Sequence, residues 1–217
     1  METMPYHDTL VSTPVVSRVP RATTTDWRDG VPTLRNRQVT LRELRLSDAQ
    51  ALHALLTAEE VARFISPPPS TVAGFERFIT WTHRQREAGH YVCFAVTLRG
   101  CDTAIGLFQI RDLSSGFETA EWGFALGSAF WGTGLFEASA KLALSFAFQT
   151  LRAHRLEARA AVANGRGNGA LRKLGAVLEG RLRRTLCKDG VYLDQHLWAI
   201  LRKDWRGVHG HRAPRVH

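Results

Sequence analysis

Apolar and polar residues alternate at 38–44, marking a first extended segment, and the later elements follow from similar patterns. Ser47-Asp48 offers an N-cap for a helix whose apolar stripe is Ala51, Leu52, Leu55 and Leu56. A short helix at 59–65 runs into Pro67-Pro68-Pro69. Ser70 or Thr71 then starts a third helix, with Phe75, Phe78, Ile79 and Trp81 on its apolar side and an end near Gly89. Strand-like runs at 91–98 and 104–110 flank the turn Arg99-Gly100-Cys101-Asp102, and 118–126 adds a third antiparallel strand. The helix expected at 134–151 carries Leu135, Ala138, Leu142, Leu144, Phe146, Ala147 and Phe148, apolar on nearly all sides, so it should be deeply buried. Its Glu137 and Lys141 stand four apart in the favourable order and pair on the wet strip. A strand at 154–162, reached through that helix, suits a parallel neighbour of 118–126. A short helix with Leu171 and Leu174 inward ends at Gly175, and a hairpin of 177–186 and 191–201 turns at Lys188-Asp189-Gly190. These elements predict a mixed sheet with helices on both faces, an α/β (α+β) fold.

Residues 1–34 show neither periodicity and read as a mobile leader, 35–205 as one domain, and 206–217 as a basic tail. No His-Glu-x-x-His or close Cys/His ligand set occurs; His209-Gly210-His211 in the tail could take up a metal weakly, against the favoured reading of an ordinary mobile tail, so no metal is expected. The formal charge of +9 suggests attraction to polyanions, with nucleic acid or the ribosome as partners, against the plainer alternative of a solvated basic surface. Cys93, Cys101 and Cys187 form no Cys-x-x-Cys pair, which fits free thiols in the cytoplasm. No run approaches membrane-spanning length, and no stretch near Met1 has a signal-peptide core.

The chemistry concentrates at residues 130–138. A strand feeds a glycine turn, which feeds a helix, so free N–H groups and the positive end of the helix dipole converge on one spot suited to a diphosphate. A P-loop needs Lys-Ser or Lys-Thr after its last glycine, where Leu135 and Phe136 stand. A dinucleotide fingerprint needs a small residue where Glu137 stands. Neither nucleotide motif is present. The absence of a Gly-x-Ser-x-Gly elbow leaves serine-hydrolase chemistry unsupported.

Over residues 37–204 the chain resembles the GNAT superfamily of N-acetyltransferases, closest to its RimJ/RimL type. Glu121-Trp122-Gly123-Phe124 resembles the family's Glu-x-Gly-aromatic strand, and Trp131-Gly132-Thr133-Gly134 with Glu137-Ala138 its pyrophosphate loop. Asn164 matches the strand-end Asn, Lys173-Leu174-Gly175 the Lys-Leu-Gly ending, and Glu179-Gly180 the hairpin that follows. Four positions depart from the pattern: Trp131 replaces Gln or Arg, Phe136 replaces Gly or Ala, Gly167 replaces Ser, and Leu171 stands where some members carry a helix Tyr that serves as general acid.

The resemblance implies a twisted, mostly antiparallel sheet whose central parallel strands splay apart. It implies acetyl-CoA as co-substrate, with the pantetheine arm between Phe124-Ala125-Leu126 and the end of the next strand. Trp131, Gly132, Thr133, Gly134, Leu135 and Phe136 would meet the diphosphate, with Asn164, Arg166 and Lys173 nearby. A strand-to-helix cap is the other reading of Asn164, and a solvated helix face that of Arg166, Arg172 and Lys173. Glu121 is the candidate base, with an ordinary outward-facing strand residue as its alternative, and the N–H near Leu126 the candidate oxyanion donor. Tyr192, Asp194 and His196 share one strand face and are candidates for the acceptor pocket, half-buried structural roles being equally open. The implied activity is acetyl transfer to a primary amine, a protein N-terminus among the candidates, in a monomer or homodimer. The alternative is a catalytically silent CoA-binding or nucleic-acid-binding protein on the same fold.

Overall fold

The computed structural model describes residues 26–205. Eight strands, β1 (Leu34–Arg35), β2 (Val39–Glu43), β3 (Tyr91–Leu98), β4 (Ala104–Asp112), β5 (Thr119–Leu126), β6 (Arg155–Ala161), β7 (Val177–Lys188) and β8 (Val191–Leu201), form one sheet. Its order is β1-β2-β3-β4-β5-β6-β8-β7. Every neighbouring pair is antiparallel except β5 and β6, joined through a helix as a parallel pair must be. The helices are α1 (Ala49–Leu56), α2 (Glu59–Ala62), α3 (Val72–Glu87), α4 (Leu135–Gln149) and α5 (Gly165–Lys173).

Period-two alternation gives the sheet two apolar faces. Leu41, Phe94, Phe108, Trp122 and Leu156 join Leu144 and Phe146 of α4 in the larger core. Tyr91, Cys93, Leu107 and Ala125 meet Leu52 of α1 and Phe75 and Ile79 of α3 on the opposite side. Each fully buried Leu or Phe here contributes about 1.5–3 kcal/mol. The expected α4 stripe is mostly interior, and its Lys141–Glu137 pair forms at 2.6 Å. Thr71 rather than Ser70 caps α3, its hydroxyl accepting from the Gly74 N–H at 3.0 Å.

Two expectations need correction. Asp48 is buried and makes no cap bond to α1. Its carboxylate instead accepts from both terminal nitrogens of Arg42 at 2.8 Å and from the Arg45 N–H. Arg42 also donates to Asp102 through Nε at 2.7 Å, so a buried guanidinium ties the entry of α1 to the β3–β4 turn. A charge buried without such partners would cost several kcal/mol, which explains why the carboxylate faces inward. The second correction concerns residues 26–34, assigned above to the leader. Trp27 and Val31 are buried, and Trp27 packs edge-on against Phe117 with ring centroids 5.6 Å apart. Residues 1–25, the tail 206–217 and its His-Gly-His lie outside the described residues.

Candidate active site

The parallel ladder between β5 and β6 holds only three pairs and stops at Glu121 opposite Glu157, although the strands continue to Leu126 and Ala161. Beyond that point they diverge. The Gly127 N–H still bonds Ile105 O of β4 at 2.9 Å, so the alternation of a strand turns the Leu126 and Phe124 N–H groups toward the gap. At the mouth of the gap the chain turns through Gly132 and Gly134, with φ of 76° and 83°, a conformation that any side chain would strain. A Cβ on either would meet nothing within 4 Å, so the space above the turn is open. The first helical bond of α4 runs from Ala138 N to Gly134 O, and no side chain caps the helix. The N–H groups of Leu135, Phe136 and Glu137 therefore lack intrahelical partners. Thr133 Oγ1 donates to Phe130 O at 2.7 Å and braces the turn.

The bulky Phe136 leaves this spot clear because its ring turns into the core, 4.4 Å from the Phe124 ring and 5.9 Å from Phe108. Trp131 donates its indole N–H to Leu126 O at 3.0 Å, and the Arg166 guanidinium lies 4.5 Å from the centre of its ring. One stacked pair thus joins the loop after β5 to the start of α5 across the mouth. Asn164 is the cap of α5, its Oδ1 accepting from the Gly167 N–H at 2.8 Å. A Cβ at residue 167 would stand 2.6 Å from Asn164 Nδ2, which accounts for glycine there. The Lys141 hydrogen bond holds the Glu137 carboxyl below the usual carboxylate range, and the charge of Lys173 adds a smaller pull in the same direction. Arg172 instead lies over the Trp198 ring at 5.8 Å. Leu171 is buried in the core, so its position supplies no proton donor.

Glu121 occupies the α1/α3 face of β5, like Gly123 and Ala125 along the strand. It is held: Oε2 accepts from two nitrogens of Arg111, the Nε at 2.9 Å, while Oε1 stands 3.8 Å from Arg159 Nε. Beside it Tyr91 donates to Gln109, and burial pushes the Tyr91 hydroxyl and the Cys93 thiol well above their ordinary values. On the loop after β5, Ser128 Oγ donates to Glu60 Oε1 at 2.7 Å, tying α2 to the site.

The structure does not bring the three β8 candidates to Glu121. His196 and Trp198 are paired with Ala160 and Ala158 of β6, and Ala158 and Trp198 belong to the α4/α5 core, on the reverse face. His196 and the Trp198 indole N–H both bond Asn168 Oδ1. Asp194 is engaged by Arg181 and by the Arg184 N–H, and Tyr192 lies exposed near the hairpin tip. Alternation puts the three in one register along β8 but does not say which face of the sheet that register meets. Arg111 and Arg159 were missed, although Arg159 follows Glu157 by two residues and so shares the face of Glu121. Among the described residues no cluster of His, Cys, Asp or Glu suited to a metal occurs. No described helix is long and apolar enough to cross a membrane.

A profile described as the acetyltransferase (GNAT) domain matches residues 38–177. The chain is 26% identical over 178 residues to the uncharacterized N-acetyltransferase p20 of Bacillus licheniformis, covering 81% of this chain and 99% of that one. Among solved structures, Mycobacterium smegmatis RimJ in complex with CoA-disulfide superposes with a TM-score of 0.70 at 23% identity, covering 76% of this chain and 83% of RimJ. The ribosomal-protein-S5-alanine acetyltransferase of Vibrio fischeri superposes with a TM-score of 0.71 at 19% identity, covering 80% and 98%. These two likenesses speak for the fold.

Proposed function

The chain belongs to the GNAT acetyltransferase family and is an acyltransferase; from that premise we propose that it moves an acetyl group from acetyl-CoA to a primary amine, with a protein N-terminal α-amine as the acceptor. The observation that carries the reading is the early end of the β5–β6 ladder beside an uncapped helix start. The N–H groups of 132–136 take the diphosphate, and Arg166 and Lys173 take the outer phosphates. The pantetheine arm lies in the gap along Phe124 and Leu126, and the Leu126 N–H steadies the oxygen of the tetrahedral intermediate. Asn164 serves this arrangement by starting α5.

The amine nitrogen attacks the thioester carbonyl carbon. A C–N bond forms, the C–S bond breaks, and sulfur departs as thiolate. Glu121, directly or through one water, accepts the proton that nitrogen loses and releases it to solvent, and solvent water returns one proton to the thiolate, so the products are an amide and free CoA. An α-amine, with a pKa near 8, asks less of the base than a lysine near 10.4. The likeness to an S5-alanine acetyltransferase favours the N-terminal acceptor. Three free cysteines, two of them exposed, favour the cytoplasm.

The test pairs calorimetric titration of CoA with thiol release from acetyl-CoA in the presence of peptides bearing free N-termini. Binding together with amine-dependent release is expected. Binding without release would assign the silent CoA-binding alternative, and no binding would remove the cofactor assignment.

A further inference from the structure

We infer that the acceptor carries a carboxylate close to its amine; the inference rests on the reading of the Glu121 face as the acceptor side. Charge is unequal around Glu121. One carboxylate stands between two guanidinium groups, Arg111 and Arg159, whose side chains are 50% and 35% exposed. Arg111 takes one oxygen with two nitrogens. Arg159 only approaches the other at 3.8 Å, beyond hydrogen-bond length, and its nitrogens make no hydrogen bond among the described residues. The neighbouring Glu157 does not compensate it, because Arg155 holds Glu157 at 2.9 Å and also binds Glu179.

Arg159 lies two residues past the last β5–β6 pair, where the strands begin to part and an acyl group in the gap would meet its acceptor. Its guanidinium fork matches the two oxygens of a carboxylate, while an ammonium group there would be repelled. The charge of the whole chain acts in the same sense. Residues 152–217 hold fifteen Lys and Arg against five Asp and Glu, a net +10, and the remainder nets −1, giving the overall +9. Cationic acceptors such as polyamines are disfavoured and acidic ones drawn in. The carboxylate is either the α-carboxylate of a free amino acid or the side chain of Asp or Glu in the second position of a peptide.

The experiment measures kcat/KM by thiol release with three otherwise identical peptides beginning Ala-Glu, Ala-Gln and Ala-Lys, and with free alanine and alaninamide. In the peptide set the Glu form should exceed the Gln form by about tenfold, roughly one charge-assisted hydrogen-bonded pair, with the Lys form slowest. Alanine exceeding alaninamide with a flat peptide series would assign the α-carboxylate as the source. The corresponding ratio should fall to about one in Arg159→Gln and to an intermediate value in Arg159→Lys, which keeps the charge and loses the fork. Transfer with both series flat in the wild type, or a ratio retained in Arg159→Gln, overturns the inference while leaving acetyl transfer standing. Failure to acetylate any of these amines removes both readings.

Discussion

The Glu121 carboxylate, proposed above as the base, is held in place, because two nitrogens of Arg111 engage one of its oxygens. As the base, it should lower kcat about a hundredfold on substitution by Gln, with CoA affinity within about twofold. Steady-state kinetics beside CoA titration separates the two, and unchanged turnover in Glu121→Gln removes the residue from the chemistry. Two glycines give a contrasting pair. At Gly134 a Cβ meets no neighbour, so Gly134→Ala carries the cost of a left-handed backbone alone, about 1–2 kcal/mol, with cofactor affinity reduced by the added methyl. At Gly106 a Cβ would stand 2.8 Å from the Leu126 main chain and closer still to Ala125 O, so Gly106→Ala should push β4 from β5 and cost more in urea unfolding. The glycine turn was legible in the sequence because local rules govern it. The partners of Glu121 were not, because Arg111 and Arg159 reach it from two other strands, and cross-strand pairing is a long-range fact.

At the scale of elements, α5 is fastened by one side chain. Asn168 donates to Ala161 O at 2.9 Å and Asn164 O at 2.7 Å, and accepts from the Trp198 indole and His196. Asn168→Ala strips partners from buried polar atoms of β6 and β8 and should cost about 2–4 kcal/mol in urea unfolding. A smaller loss than about 1 kcal/mol would mean that water replaces the amide. Its role was hidden, since within Asn164-Gly165-Arg166-Gly167-Asn168 only the first Asn resembles a known motif. Most other elements were legible from periodicity and caps, as with Thr71 and the long buried α4. Asp48 shows the limit: the same short acid that caps a helix also neutralises a buried arginine 2.8 Å away, and only the fold distinguishes these uses.

For the whole molecule, stability should form a plateau between about pH 5 and pH 9. The carboxyls of Glu60, Asp102, Glu137, Glu179 and Asp194 sit below their ordinary 4.5 or 3.8, held there first by hydrogen bonds from Ser128, Arg42, Lys141, Arg155 and the Arg184 main chain. The unfolded chain binds protons more readily at these groups, so stability falls as acid takes the pH through that range and below. Burial acts oppositely on Cys93 and Tyr91, raised above 9.0 and 10.0, so the unfolded chain releases their protons first and stability declines above about pH 9. Thermal unfolding across pH checks both limbs, and in Cys93→Ala the alkaline limb should begin about one unit later, where tyrosine takes over. The sheet class and the parallel pair were legible in advance. The seating of β8 between β6 and β7 was not, because a hairpin pattern does not say which of its strands joins the sheet.

The short ladder at the centre has a further consequence. Phe124 and Leu126 belong to an interior strand, yet their amides face an open cleft and should take up deuterium from heavy water like those of a surface loop. Sealed by an occupant, the same two positions would become among the slowest in the protein, so the most central strand is also the one whose protection records whether the cleft is filled.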